Sequence, residues 1–451
     1  MLGFWSLVDF WAFVGYTACL TMYFNILRSL LISLGVLCLI AAKILASTAD
    51  TYGLSSRASA TAGLVTFGHP DPFLAYQNPA YLTQAHDLKT SVGFMSAAEF
   101  FSPIEGVVTE SGVSGKSLEV GNFETNYANL AGLNFGLVFP LRKIFPKISI
   151  GTTGFFPFGS LASVNTSENY VPIYALYYNR PKRFSLVSGA AIEPFENFSM
   201  GVSGNFYLTS GANTKININE VNSSVSVAMD IQPAVSPIVG ARYTWNNWSF
   251  DFSYHGALDY QMVLENHSDL GLFGTPVPVV EFLAKSSIFY DPAMIGAGIS
   301  HLFKNGFQLG IRLDWKNWKR YQTSLSQMII TNPGGMKSSL PDIQFRDVVA
   351  PSIGVEVPLW AMLLRAGYRY EPEHVVFQEE NSNFIDTPVH VASLGAGRAF
   401  GNVTVDLHLQ YHYLTPQRVT KSDPEAVGYK GGGYEVGGSL LNYGLTLGTA
   451  F

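Results

Sequence analysis

Leu441-Asn442-Tyr443-Gly444-Leu445-Thr446-Leu447-Gly448-Thr449-Ala450-Phe451 ends the chain, and the reading of this stretch decides the fold. Counted back from Phe451, one set of alternate positions is Phe451, Thr449, Leu447, Leu445, Tyr443 and Leu441. The other set is Ala450, Gly448, Thr446, Gly444 and Asn442. A strand sends successive side chains to opposite faces, so one face here is mostly apolar and the other small or polar. A strand with lipid on one side and a polar lumen on the other needs that division. Thr449 is the weak position, because a larger apolar side chain suits the lipid face better. A soluble β-domain can end in the same way, so the rest of the chain has to decide.

Composition narrows the choice. The chain has 451 residues, enough for several soluble domains or one large barrel. Charged residues make up 13% and aromatics 14%, with 43 glycines, whereas soluble domains carry about a quarter charged residues. Past residue 50 no apolar run approaches the ~20 residues that a membrane helix requires. A chain this apolar without spanning helices fits a barrel whose apolar residues fall at every second position. The net charge of −6 with no basic cluster argues against a nucleic-acid partner.

The same alternation recurs upstream. Tyr243-Thr244-Trp245, the turn Asn246-Asn247, and Trp248-Ser249-Phe250-Asp251-Phe252-Ser253-Tyr254 put aromatics on one face and Ser and Asp on the other. Asn305-Gly306 has the signature of a type I′ turn. It precedes Phe307, Leu309, Ile311, Leu313 and Trp315, alternating with Gln308, Gly310, Arg312 and Asp314. Gly401-Asn402 opens a similar run through Val403 to Tyr413, in which Asp406, His408 and His412 share the polar face. Trp315, Trp318, Tyr411 and Tyr413 are expected in aromatic girdles. Short polar turns alternate with long irregular stretches, such as 101–125, 259–289 and 319–345, an asymmetry typical of membrane barrels. These readings predict an all-β fold, a transmembrane antiparallel β-barrel of roughly fourteen strands over 88–451, with twelve as the alternative.

Two segments precede the barrel. Residues 50–87 are rich in Gly, Ala and Pro, and include Asp71 and Asn78-Pro79-Ala80. They suit a compact irregular element. Leu54, Leu64, Phe67, Phe73 and Tyr76 favour a hatch inside the lumen over a free tail, which would expose them. Residues 1–49 hold two apolar stretches. The second follows Arg28 and leads to Lys43-Ile44-Leu45-Ala46-Ser47-Thr48-Ala49, the order of a secretory signal peptide. Met22 then serves as a start, and cleavage falls after Ala46 or Ala49. The competing reading is a two-helix inner-membrane anchor. Cys19 and Cys38 are the only cysteines, and Leu37 stands where a lipoprotein anchor needs a small residue.

Taken together, Asp71 with Asn78-Pro79-Ala80, the glycine-rich stretch Gly151 to Gly159 with Pro157-Phe158-Gly159, and the strand series from Gly240 to the terminal Phe451 resemble the FadL/TodX-type outer-membrane transporters of long-chain fatty acids. The likeness spans most of residues 50–451. It departs at Tyr290-Asp291-Pro292, where the family often has Leu-Pro, and the loops align poorly, which leaves the substrate open. The resemblance implies a Gram-negative outer-membrane channel that takes up hydrophobic compounds. A loop groove collects the solute, an apolar pocket beside the hatch holds it, and a kinked third strand opens the wall sideways. Gly151, Gly154, Pro157, Phe158 and Gly159 are placed for that kink; the alternative is that Pro157 simply ends the strand at its rim. Tyr443, Leu445, Leu447 and Phe451 resemble the signal read by the outer-membrane assembly machinery.

Chemistry beyond transport is sparse. His408 and His412 share a strand face but lie about 13 Å apart, too far to chelate one ion unaided. No Gly-x-Ser-x-Gly elbow, phosphate loop or paired-cysteine motif occurs, so neither an enzyme, a cofactor nor a metal is expected. Arg312, Arg365 and Lys316 are candidates for holding a ligand's carboxylate, or they balance Asp314 and other lumen carboxylates. The expected partners are membrane lipid and lipopolysaccharide, a hydrophobic small molecule such as a fatty acid, and the assembly machinery, with the oligomeric state open. A water-filled porin and a structural or adhesive barrel are the alternative functions.

Overall fold

The computed structural model describes residues 48–451 except 66, 68–69, 111–117, 124–129, 142–146, 160–171, 175, 178–182, 220–223, 273–274, 322–326, 333–342, 379–382 and 423–431. The stretch expected to be a signal peptide, the expected start at Met22 and both cysteines therefore lie outside the described residues, apart from Thr48 and Ala49.

Fourteen strands form the barrel wall. They are β1 (Lys89–Phe101), β2 (Leu130–Pro140), β3 (Ile148–Pro157), β4 (Ser185–Phe195), β5 (Phe198–Asn219), β6 (Ser224–Trp245) and β7 (Trp248–His255). The second half is β8 (Ala293–Leu302), β9 (Gln308–Asn317), β10 (Val348–Leu359), β11 (Met362–Glu371), β12 (Val389–Phe400), β13 (Val403–Thr420) and β14 (Gly433–Ala450). Each pairs antiparallel with the next. Pairing of Lys89 with Ala450 through Phe101 with Gly438 joins β1 to β14 and closes the ring. Closure pairs the first and last wall strands, so neither is left as an open sheet edge in lipid.

Side chains follow the alternation. On β14, Tyr443 (44% exposed) and Leu447 (49%) point outward, whereas Asn442 and Thr446 are buried inside; Phe451, just past the strand end, is 72% exposed. Phe94, Ile150, Val202, Phe252, Ile311 and Leu407 continue the apolar outer band on other strands. This is the surface of a transmembrane barrel.

The turns at one end are short. Asn246 takes a left-handed φ of 53°, and Trp360 and Ala361 take 50° and 64°. The Asn305-Gly306 turn differs from the type I′ expectation, because only Gly306 has positive φ (+82°). Gly306 N donates to Phe303 O (2.9 Å) and Phe303 N to Phe307 O (2.8 Å), so Asn305-Gly306 closes a longer turn. The Asn305 side chain caps it by accepting from Phe307 N (3.2 Å). At the other end, the stretch expected to be irregular at 259–289 is a hairpin of Leu258–Leu272 and Thr275–Asp291. It adds to the extended ends of β5 (Met262 to Ser210) and lengthens the wall beyond the barrel.

The described residues of 48–87 lie in the lumen. They form short helical turns at Ser56–Ala60 and Leu74–Gln77 and a 3-10 turn at Pro79–Gln84. Tyr52, Leu54, Phe73 and Leu82 pack with the inward residues Met95, Phe155 and Val187 in one apolar core.

Candidate functional site

The hatch is seated where the wall has no side chain. A Cβ on Gly240 would fall 1.9 Å from Asn78 Oδ1, one on Gly201 2.6 Å from the Pro79 carbonyl carbon, and one on Gly367 2.4 Å from that of Thr61. Gly136, Gly151, Gly354 and Gly395 meet Pro72, Leu82, Leu64 and Ala60 in the same manner. Glycine here permits close backbone approach between plug and strand. Asn78 then works twice. Its Oδ1 accepts from Ala80 N (3.1 Å), capping the turn that Pro79 starts. Its Nδ2 donates to the wall at Phe252 O (3.0 Å) and Ala241 O (3.3 Å). Ala80 is fully buried, so Asn-Pro-Ala is a cap, a turn starter and a small contact. Asp71 Oδ1 accepts from Phe73 N (3.0 Å), and burial raises its pKa against the pull of Ser55 and Arg57.

Charge gathers in the lumen wall and is internally paired. Arg57 of the hatch donates to Glu356 (2.8 and 2.7 Å), and burial lowers its pKa to about 10 although Glu356 opposes this. Arg365 donates to Glu356 (2.7 Å) and Asp406 (2.5 Å). Arg312 donates to Asp314 (2.8 Å), Asp251 (2.5 Å) and the Ser253 hydroxyl (2.6 Å). Lys316 donates to Glu371 (2.6 and 2.7 Å). All three head-group candidates thus face inward, and each donates to a carboxylate. A cavity of about 520 Å³ opens at the short-turn end, lined by Arg57, Asp71, Lys89, Arg365, Thr404 and Asp406 together with Pro358 and Leu363. The floor below the hatch is polar.

Above the hatch the lumen is aromatic. Phe101 stacks on Tyr174 (4.2 Å between centroids) and meets Tyr177 (5.7 Å). Tyr290 stacks on Tyr321 (5.1 Å) and meets Trp318 (5.8 Å), and Tyr321 meets Phe345 (4.7 Å). Trp318 is 2% exposed, so its assignment to a membrane girdle is corrected. Trp318 begins a 3-10 turn, Trp318–Arg320, just past the end of β9, and the turn carries the indole into the buried ring cluster instead of the outer face. Alternation locates residues only while a strand continues. The useful signal would have been the aromatic density of the loops themselves.

The wall at β3 is continuous. Its ladder to β2 runs from Ser149–Pro140 to Pro157–Gly132, and to β4 from Ile148–Ile192 to Phe155–Ser185, without a register shift. Pairing is unbroken through Gly151 and Gly154 on both sides. Gly151 lies against Leu82 of the hatch (2.8 Å to a Cβ), and Gly154 against Ser185 O and the Phe135 ring (2.2 and 2.6 Å). Both glycines admit close neighbours. Pro157 ends β3, and beyond Phe155 pairing with β4 stops while pairing with β2 continues. Phe184 lies beside that split and meets Phe156 (6.0 Å) and Phe135 (6.4 Å). Phe158 N donates to Ala131 O (2.7 Å), and Gly159 takes φ +91° with open space around it.

No family model and no curated protein sequence matches the chain. Solved structures do. A FadL homologue from Pseudomonas aeruginosa aligns with a TM-score of 0.57 at 14% identity, over 88% of this chain and 98% of that one. The Pseudomonas putida toluene transporter TodX aligns at 0.56 and 12%, over 87% and 97%. The Ralstonia pickettii toluene transporter TbuX aligns at 0.51 and 14%, over 89% and 99%. At these identities the likeness establishes a shared fold, a plugged fourteen-stranded barrel.

Proposed function

We propose that the chain is a Gram-negative outer-membrane channel for the uptake of hydrophobic compounds, exported by its N-terminal signal and inserted through its C-terminal strand. One observation carries the reading: the rings of Tyr174, Tyr290, Trp318 and Phe345 pack with the hatch residues Tyr52 and Phe73 in one apolar core above a hatch that is keyed into the wall, and a hydrophobic solute parting these rings makes them its chamber. A water-filled porin needs an open polar constriction. Here Tyr52, Phe73, Leu82 and Phe155 occupy the lumen as a packed core. The structural neighbours titled as a FadL homologue and as toluene transporters support the same direction.

Ligand charge follows from the ion pairs. Arg312, Arg365 and Lys316 each already hold a carboxylate, and a second anion would have to displace it at a cost of about 3–5 kcal/mol. The chamber therefore suits an uncharged or aromatic compound. A long-chain fatty acid fits with its carboxyl protonated or left at the mouth. The route follows from polarity: a hydrophobic solute gains nothing by crossing the ionic floor near Arg57, Glu356 and Asp406. The split between β3 and β4 above Phe155, bordered by Phe156 and Phe184, is the apolar way out. This replaces a mid-strand kink with a parting at the rim.

Planar-bilayer conductance with radiolabelled uptake tests the proposal. Intact protein should conduct little, removal of residues 50–87 should open a polar pore, and Trp318→Ala should reduce uptake of toluene. Large conductance from the intact protein with no hydrophobic uptake would move the assignment to a porin.

A further inference from the structure

A single histidine fastens the segment beyond β11 to the ring cluster around Trp318. His374 is 1% exposed and lies three residues beyond β11. Its Nδ1 is 3.1 Å from Asp386 Oδ2 and its Nε2 is 3.2 Å from Glu371 Oε1. A neutral imidazole has one N–H and one lone pair, so it donates to only one of these carboxylates; both contacts are hydrogen bonds when the ring is a cation. The ring meets the indole of Trp318 edge-on at 4.8 Å. Burial opposes the charge, but Asp386 and Glu371 outweigh it and hold the His374 pKa above its ordinary value.

The segment around it depends on the same carboxylate. Asp386 accepts from the His374 and Val375 backbone N–H groups. Gln378 and Asp386 bond each other reciprocally, at 2.6 and 2.9 Å. Arg346 N donates to His374 O and Val376 N to Gln344 O, both at 2.8 Å, which lays the segment along the chain leading into β10. The remaining charges nearby are Lys316 on Glu371, Arg369 at 3.9 Å from Glu371, Arg346 paired with Glu373, and Asp347 held by Asn317 and Lys319 N. Among the described residues, the only cation paired with Asp386 is His374. Its loss of a proton leaves a buried carboxylate without a countercharge.

We propose that His374 is a positioning residue for the aromatic chamber. Protonated, it locks a strap of residues 372–378 and their partners at 383–388, together with the Trp318 indole, in the closed arrangement; deprotonated, it releases them and speeds the exchange of hydrophobic ligand. The proposal rests on reading the chamber as the ligand site. Because the folded-state pKa is raised, the lock is complete below the ordinary imidazole value of about 6.5 and is lost as pH rises through the raised value.

The test uses full-length protein in detergent micelles with the uncharged probe N-phenyl-1-naphthylamine. Its release rate is followed by stopped flow from pH 5.5 to 9, beside hydrogen exchange of residues 374–378 corrected for the intrinsic pH dependence. Release and strap exchange should rise about tenfold with pH in the parent, the size of one charge-assisted hydrogen bond. His374→Gln should be fast and flat at all pH values, and Asp386→Asn should move the transition to lower pH. The same pH dependence in parent and His374→Gln would overturn the proposal. If His374→Gln does not give a heat-modifiable barrel, Asp386→Asn decides, an unmoved transition being the adverse result. A parent that binds no probe at any pH refutes the chamber reading. In that case the strap's own exchange still decides the lock: a step with pH supports it, and a flat profile sinks it.

Discussion

Gly240 on β6 passes under Asn78 of the hatch so closely that a Cβ there would sit 1.9 Å from the amide oxygen. No rotamer change in Asn78 relieves this cheaply, because its Oδ1 caps the Pro79–Gln84 turn and its Nδ2 holds Phe252 O.

Gly240→Ala should therefore lift this corner of the hatch. Overpacking of this kind costs about 1–3 kcal/mol. The expected outcome is a lower unfolding midpoint and faster proteolysis within residues 50–87, with the barrel still shifting on an unheated gel. An unchanged midpoint would show that the plug yields without strain.

Gly151 makes a milder contact, 2.8 Å from a Cβ to the end of the Leu82 side chain. Gly151→Ala should lower stability, and adding Leu82→Ala should restore much of the loss. A double-mutant cycle with a coupling of about 0.5 kcal/mol or more would express that contact. Additive effects would instead favour a role for Gly151 in strand shape.

Arg312 separates structure from ligand binding. Arg312→Ala leaves Asp251 and Asp314 without their shared cation and should cost about 3–5 kcal/mol. Asp251→Asn should cost less, since Asp314 still holds the guanidinium. Under urea titration both variants should weaken, while the preference for uncharged over carboxylate ligands stays as in the parent. A selective loss of carboxylate binding would restore Arg312 as a head-group residue.

Tyr443 tests the closing strand. It faces outward on β14, opposite Ser96 of β1 and Leu409 of β13. Tyr443→Asp places a charge in the lipid band and should reduce the yield of heat-modifiable barrel, as should removal of Phe451. Equal yields would count against recognition through this strand.

The wall was legible because alternation is local. Asn442, Thr446, Arg312, Asp406 and His408 all lie on the faces that period two assigns them. Residues beyond a strand end were not legible. Trp318 is one step past β9, where a 3-10 turn changes its direction and the pattern stops carrying information. The turn at Asn305-Gly306 misled because Phe303 and Phe307 bond across it, a choice made by the flanking strands. Gly151 and Gly154 read as a hinge, since a glycine placed for close approach and one placed for bending look alike in one dimension. The partner that distinguishes them, Leu82 or Phe135, lies far away in sequence.

The hatch precedes every strand in the chain, yet its bonds reach the last one. Thr446 Oγ1 accepts from Ser56 N (3.1 Å), Asn442 donates to Tyr52 O (3.4 Å), and Gln410 donates to Ser59 O (2.8 Å). Only a few residues separate the end of its 3-10 turn at Gln84 from the start of β1 at Lys89. A cork so shaped cannot be pushed through a finished ring whose wall already fits it on all sides. Made before every strand of the wall, Tyr52 and Ser56 gain their partners Asn442 and Thr446 only when the last strand is in place, so the seam between β1 and β14 completes the hatch as well as the ring.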